Sequence, residues 1–279
     1  MDELRTALEL ATEEELQDLT AILFCRKFNP LDYVHTPEPL EVQAQDHKAW
    51  LDTLEQRFRF LAADGMTVLR GRTKQVSYRQ ALIQVCRYLK ISYSSKLTTT
   101  DLEAEIFLHL LKRVWKQMPV GEQQKLTVRI QQALAKTQLT EPLPLALQRD
   151  PLGLLLKAGS AVAVTSVLQP ILLQQIAQQF ALHFATYQVK QAAIKGGVAV
   201  ATQFESYVAV QTAQRGMAVS AARYGAVRSM FAFLGPVLWT WFLADLGWRA
   251  IATNYGRIIP TVFTLAQIRL TRAEYWEPA

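Results

Sequence analysis

The stretch that decides the fold class reads Ser77-Tyr-Arg-Gln-Ala-Leu-Ile-Gln-Val-Cys-Arg-Tyr-Leu-Lys90. Ser77 and Gln80 lie three residues apart, which is the pattern of a capping box, where each side chain bonds the backbone N–H of the other residue at a helix start. Apolar side chains then follow at spacings typical of one helix face, at Leu82, Val85, Cys86 and Leu89. The stretch therefore predicts an amphipathic helix.

The same signals recur on both sides of this stretch. Capping boxes are predicted at Thr12–Glu15 and at Thr100–Glu103. A further helix is predicted from about Gln43 to Asp64, because large apolar side chains recur there every three to four residues. No pair of alternating apolar and polar runs flanks a tight-turn dipeptide, as a β-hairpin requires. The chain is therefore predicted to be all-α.

Charge is distributed unevenly along the 279 residues. Residues 1–150 carry 20 Lys or Arg and 20 Asp or Glu, whereas residues 151–279 carry 10 and 4, so the second part holds the whole net charge of +6. Nine of the 12 glycines also lie in the second part. We therefore predict a soluble helical module over residues 1–140, a proline-containing linker over 141–152, and an Ala/Gly-rich hydrophobic helical region, associated with a membrane, over 153–273.

Two uncharged segments dominate this hydrophobic region. Residues 158–189 are 32 residues without Lys, Arg, Asp or Glu, and residues 229–244 are 16 more. A membrane-spanning helix needs about 20 apolar residues, but the first segment ends rich in glutamine and the second is short and contains Pro236. Transmembrane hairpins, helices in the membrane interface and a buried soluble core all fit this pattern. Aromatic and basic residues at the segment edges favour the membrane. The candidate interface residues are Trp239, Trp241, Trp248, Arg249 and Arg257.

Positive charge is concentrated between residues 57 and 90. Eight cations lie in this stretch, only Asp64 opposes them, and aromatic residues are interleaved. Such a stretch suits the phosphates of lipid or nucleic acid, whereas the simpler interpretation is a solvated face balanced by acidic helices. Anionic lipid fits the hydrophobic region better than nucleic acid does. The candidate contacts are Arg57, Arg59, Arg70, Arg72, Lys74, Arg79, Arg87 and Lys90.

The sequence contains no recognisable catalytic or cofactor-binding motif. GxGxxG, P-loop and HExxH patterns are absent, and none of the four histidines has a metal-ligand spacing to another His or to a Cys. Cys25 with His35 or His47 would supply a nucleophile and a base, but the apolar helical stripe around Cys25 favours packing. We therefore expect no enzymatic activity, no cofactor and no metal. The first residues also lack the pattern of a secretory signal.

Several short stretches resemble the YaaW family of bacterial proteins, and its cyanobacterial branch in particular. They are Asp2-Glu-Leu4, Thr12-Glu-Glu-Glu-Leu16, Leu69-Arg-Gly-Arg72, Ser77-Tyr-Arg-Gln-Ala-Leu-Ile83, Cys86-Arg-Tyr-Leu-Lys90, Trp115-Lys-Gln-Met-Pro119 and Asn254-Tyr-Gly-Arg-Ile-Ile-Pro260. The resemblance covers most of the chain and implies a helical N-terminal module followed by a hydrophobic C-terminal region. The family brings no established activity or cofactor with it.

These patterns favour a non-enzymatic, membrane-associated helical protein that acts as an anchor, a scaffold or a membrane-remodelling factor. An oligomeric pore or channel is one alternative, and a soluble helical adaptor that binds protein or nucleic acid is another. The expected partner is a membrane with anionic lipids, and the N-terminal half is expected to face the cytoplasm. A protein partner of the N-terminal module and self-association are further hypotheses, whereas nucleic acid is disfavoured.

Overall fold

The computed structural model describes residues 2–24, 36–136, 145, 149–158, 171–183 and 253–272. These ranges are mostly helical and contain no β-strand, which confirms the predicted all-α character for the described part of the chain. Its helices are α1 Glu3–Glu9, α2 Glu13–Phe24, α3 Pro39–Gln43, α4 His47–Ala62, α5 Gly65–Leu69, α6 Tyr78–Leu89, α7 Thr99–Gln117, α8 Val120–Lys136, α9 Pro151–Ala158, α10 171–183 and α11 Tyr255–Thr271. A short 3-10 helix, Thr73–Gln75, precedes α6.

Two of the predicted capping boxes are confirmed. At the start of α6, the Gln80 N–H donates to Ser77 Oγ at 3.2 Å, and the Ser77 N–H donates to Gln80 Oε1 at 2.9 Å. At the start of α2, the Thr12 N–H donates to Glu15 Oε2 at 2.8 Å, and the Glu15 N–H donates to Thr12 Oγ1 at 3.4 Å. Each box satisfies amide groups that have no partner inside the helix.

The third predicted box, at Thr100–Glu103, is wrong. Helix α7 begins two residues earlier, where the Asp101 N–H donates to Thr98 Oγ1 and the Thr98 N–H donates to Asp101 Oδ2, both at 3.1 Å. Thr98 and Asp101 have the same capping chemistry as the predicted pair, so they cap the helix instead. Glu103 is then left inside the fold, with 2% of its surface exposed.

The chain divides into two compact units, of which the first comprises Met1–Leu110 and Leu238–Arg269. In this unit Phe58 of α4 packs against Tyr78 of α6, with ring centroids 5.7 Å apart, and both side chains are buried. The Trp50 indole N–H of α4 donates to Thr20 Oγ1 of α2 at 2.8 Å. The N-terminal helices therefore share one apolar core with specific polar links.

Helix α11 completes the core of the first unit. Every residue from 257 to 271 is buried, so the helix has no exposed face. The Asn254 N–H, just before the helix, donates to the Leu61 carbonyl of α4 at 2.9 Å. Ring contacts join Phe263 to Phe107 of α7 at 5.0 Å and Tyr255 to Tyr88 of α6 at 4.0 Å between centroids. Residues 257–269, which lie within the predicted hydrophobic region, thus belong to the core of the first unit.

The second unit comprises Leu111–Val237 and Leu270–Ala279. The turn from α7 to α8 is held by the Gln123 side-chain amide, which donates to the Trp115 and Met118 carbonyls at 2.8 and 2.9 Å. The Trp115 ring lies 6.2 Å from the ring of Phe180 in α10. Most of the predicted linker 141–152 lies outside the described residues, so its boundaries stay a prediction.

Candidate functional site

Three of the eight candidate cations are held by the fold. The Arg57 Nε–H donates to the Leu23 carbonyl at 3.1 Å, and its guanidinium lies over the rings of Phe24 and Phe60, 5.5 and 5.6 Å from their centroids. Such contacts satisfy the charge by cation–π attraction and hydrogen bonding. Arg57 therefore links α4 to the end of α2.

Arg59 has an equally internal role. Its guanidinium pairs with Glu55 at 2.9 Å and with Asp2, and it donates to the Val76 carbonyl. Asp2 is also the N-cap of α1, where it accepts from Leu4. Burial lowers the pKa of Arg59, although an arginine keeps its charge throughout the physiological range. Arg59 thus joins α1, α4 and the segment before α6.

The third held cation is Arg79. Its Nη2–H donates to the Ser95 carbonyl at 3.1 Å, across the loop that follows α6. This bond is exposed, and it fixes the loop between α6 and α7.

The other five candidate cations project into solvent. Their side chains make no hydrogen bond or ion pair within the part of the chain that the structure describes. Asp64, the acid expected to oppose them, caps α5 by accepting from the Thr67 N–H at 2.7 Å. That backbone bond is the largest cause of the lowered pKa of Asp64. The exposed cations are Arg70, Arg72, Lys74, Arg87 and Lys90.

Exposed apolar side chains lie directly beside the first three of these cations. Leu69 is 79% exposed and Met66 is 58% exposed, and helix α5 contributes no buried side chain at all. Residues three apart share one face of a helix, so Met66 and Leu69 form a single apolar face. We call Met66, Leu69, Arg70, Arg72 and Lys74 the basic–apolar surface.

A C-terminal cap gives this surface its shape. The Arg72 N–H donates to the Thr67 carbonyl and the Gly71 N–H donates to the Val68 carbonyl, both at 3.0 Å. These two bonds define a Schellman motif, whose turn residue adopts the left-handed conformation. Gly71 has φ of +66°, a value that glycine adopts without steric cost. The chain reverses there, so the cations follow the apolar face immediately.

Of the five predicted membrane-interface residues in the C-terminal part, only Arg257 lies within the described residues. Trp239, Trp241, Trp248 and Arg249 lie outside the described residues. Arg257 is 3% exposed, at the start of the buried part of α11, and its Nη1–H donates to the Leu23 carbonyl at 3.5 Å. Arg257 is therefore part of the core of the first unit in the structure.

The first unit also contains a buried polar cluster that the sequence analysis missed. Arg269 Nε lies 3.3 Å from Glu103 Oε2, and Arg269 Nη2–H donates to the Glu3 carbonyl at 2.8 Å. Burial raises the pKa of Glu103 to about 7, against the attraction of Arg269, which lowers it. Burial also raises the pKa of the neighbouring Tyr78 well above its ordinary value. This cluster ties α1, α7 and α11 together.

The cysteine and histidine side chains within the described residues form no recognisable catalytic or metal centre. Cys86 is fully buried, and burial raises the pKa of its thiol to about 12, which leaves it an unreactive thiol at neutral pH. Cys25 lies outside the described residues. In the second unit His183 Nε2 lies 3.3 Å from Glu122 Oε2. No group of three potential metal ligands occurs among the residues that were described.

None of the helices in the described ranges is both long enough and apolar enough to span a membrane. The two uncharged segments, 158–189 and 229–244, lie mostly outside these ranges.

Comparison with known proteins adds no assignment. No family model, no curated protein and no solved structure matches this chain. The resemblance to the YaaW family therefore stays a prediction from the quoted stretches.

Proposed function

We propose that this chain is a non-enzymatic, membrane-associated helical protein that serves as an anchor, a scaffold or a membrane-remodelling factor. Its N-terminal half faces the cytoplasm and meets the anionic lipids of the membrane through the exposed cations of the 57–90 stretch. The uncharged segments 158–189 and 229–244 supply further apolar attachment.

One observation carries the proposal. Five of the eight cations are exposed and have no ion-pair partner in the described ranges, namely Arg70, Arg72, Lys74, Arg87 and Lys90, whereas the three others are held by the fold. Exposed cations that outnumber the nearby acids attract anionic surfaces, at about 1 kcal/mol for each cation near the lipid headgroups. Arg57, Arg59 and Arg79 are assigned to the fold and not to lipid.

The proposal is tested by flotation of the full-length chain with vesicles of anionic and of zwitterionic lipid. We expect flotation with both, and a preference for anionic vesicles that shrinks as salt shortens the screening length to below about 8 Å. Changing Arg70, Arg72 and Lys74 to glutamine removes about 3 kcal/mol of attraction, roughly a hundredfold in binding, at low salt. A full-length chain that stays at the bottom with every vesicle contradicts the proposal.

A matched control separates local from overall charge. Lys116, Arg129 and Lys136 of the second unit are also exposed, and changing these three to glutamine alters the net charge by the same amount. We expect this control to keep the anionic preference of the unaltered chain. An equal loss in both triple variants would show that only net charge matters and would refute the assignment to the 57–90 stretch.

A soluble adaptor is the competing function, and the same experiment addresses it. A basic surface also suits an acidic protein or a nucleic acid. A chain that binds neither kind of vesicle but retains nucleic acid in a salt-dependent gel shift would support the adaptor.

A further inference from the structure

Helix α5 has a feature that core packing does not explain. It is five residues long, it contributes no side chain to the core, and its two largest apolar side chains, Met66 and Leu69, are mostly in water. A helix this short is normally stabilised by burying its apolar side chains, and α5 lacks that stabilisation because Met66 and Leu69 are exposed. The apolar face of α5 is therefore available to an occupant other than this chain's own core.

The ends of α5 are held firmly despite this exposure. Asp64 caps the N-terminal end through the Thr67 N–H, and the Schellman motif at Gly71 closes the C-terminal end. Both caps satisfy backbone groups locally. The helix therefore presents Met66 and Leu69 in a fixed orientation.

The charges around α5 indicate the chemistry of the occupant. Arg70, Arg72 and Lys74 follow the apolar face at once, and residues 64–74 carry one opposing charge, the carboxylate of Asp64, which caps α5 and also attracts Arg70. An apolar face bordered by cations is the pattern of a segment that lies in the interface of an anionic bilayer. In such a segment the cations reach the phosphates while the apolar side chains enter the acyl boundary.

A second exposed leucine provides a contrast. Leu40 of α3 is 74% exposed, nearly as much as Leu69, but it lies between Glu38 and Glu41. An anionic bilayer would repel this pair of carboxylates. Exposure alone thus does not mark a lipid contact, and the sign of the neighbouring charges distinguishes Leu69 from Leu40.

We propose that α5 is an interfacial wedge, in which Met66 and Leu69 insert into the acyl boundary of an anionic bilayer and Arg70, Arg72 and Lys74 bind the lipid phosphates. This inference rests on the proposed membrane association and names the element that enters the lipid.

The test places an environment-sensitive fluorophore at Leu69→Cys of the full-length chain, in a background without the two native cysteines. Vesicles of anionic lipid should shift the emission to the blue, and a doxyl-labelled acyl chain should quench it. Met66→Ser in the same protein should lower the insertion equilibrium about tenfold, since it removes one of the two inserted side chains. Changing Arg70, Arg72 and Lys74 to glutamine should abolish the shift at low salt. The matched control is the same fluorophore at Leu40→Cys, which should stay in water.

The outcomes separate the wedge from the proposed function. The thermal midpoint of the variants in α5 should equal that of the cysteine-free background, because α5 contributes no buried side chain. Flotation of the labelled chain while Leu69→Cys remains water-like would overturn the wedge and leave membrane association standing. Failure to float at all would overturn both. A blue shift obtained with an acidic protein but not with vesicles would identify α5 as a protein-docking surface and would also overturn the wedge.

Discussion

The buried pair of Glu103 and Arg269 makes a sharp prediction about stability. Arg269→Met removes the cation 3.3 Å from the carboxylate and the hydrogen bond to the Glu3 carbonyl, and keeps most of the side-chain volume. Glu103 is then left as a buried carboxyl group, with Tyr78 as its other polar neighbour. The loss of stability caused by Arg269→Met therefore depends on whether the carboxyl group of Glu103 carries a charge.

The magnitude follows from the burial of Glu103 and its pKa. Burial raises that pKa from 4.5 to about 7, so the folded protein binds the proton more tightly than the unfolded chain. The stabilisation from this proton is fully present below about pH 4.5 and is lost as the pH rises through about 7. Arg269→Met also removes the attraction that lowers this pKa, so at pH 8 the variant must either keep an unpaired carboxylate buried or take up a proton, and we expect a loss of about 3–5 kcal/mol. At pH 5.5 the carboxyl group is neutral, and the loss falls to about 1–2 kcal/mol for the missing hydrogen bond to the Glu3 carbonyl.

Urea denaturation at the two pH values measures this difference. Hydrogen exchange of peptides from α6 and from residues 99–110 of α7 reports the free energy of unfolding of the first unit alone. Adding Glu103→Gln to Arg269→Met removes the titrating group, so the double variant should recover about 2 kcal/mol at pH 8. An equal loss of stability at both pH values, or no recovery in the double variant, would show that the charge of Glu103 does not determine the cost of losing Arg269.

Three further predictions concern the first unit. A fragment of residues 1–140 lacks α11, whose residues 257–271 are buried, so we expect a lower thermal midpoint than that of the full-length chain. Adding a peptide of residues 253–272 should restore part of the difference. Equal midpoints of the fragment and the full-length chain would contradict a contribution of α11 to the core. Trp50→Phe removes the 2.8 Å bond to Thr20 and should lower the free energy of unfolding by about 1–2 kcal/mol in urea denaturation, and an unchanged midpoint would show that this bond contributes nothing. Cys86 should resist thiol reagents at pH 8 until the protein unfolds, because it is buried and its pKa is about 12; rapid labelling of native protein that lacks the other cysteine would contradict this.

Local signals predicted local structure well. The boxes at Thr12 and Ser77 depend on residues three positions apart, so the sequence contains both partners. The box at Thr100 failed because Thr98 and Asp101 offer the same chemistry two residues earlier. Glu103 faces Arg269, a partner distant in sequence that no local pattern reveals.

The candidate site could be predicted only in part, because the partners of its cations are also distant in sequence. The sequence located the cations, but it could not separate Arg57 from Arg70, because the carbonyl of Leu23 that holds Arg57 lies on another helix. The exposure of Leu69 could not be predicted either, since a leucine before a basic loop fits a core position equally well. The position of α11 was ambiguous because a helix that is apolar on all sides suits both a membrane and a protein core.

Fractionation of the cells that produce the protein tests the proposed membrane association most directly. Membranes are separated from the soluble contents at low salt and again at about 0.5 M salt, which screens exposed charges, and both fractions are immunoblotted for the full-length chain. We expect the chain to sediment with membranes under both conditions, because apolar insertion persists when electrostatic attraction is screened. Recovery of the chain in the soluble fraction at low salt would contradict it.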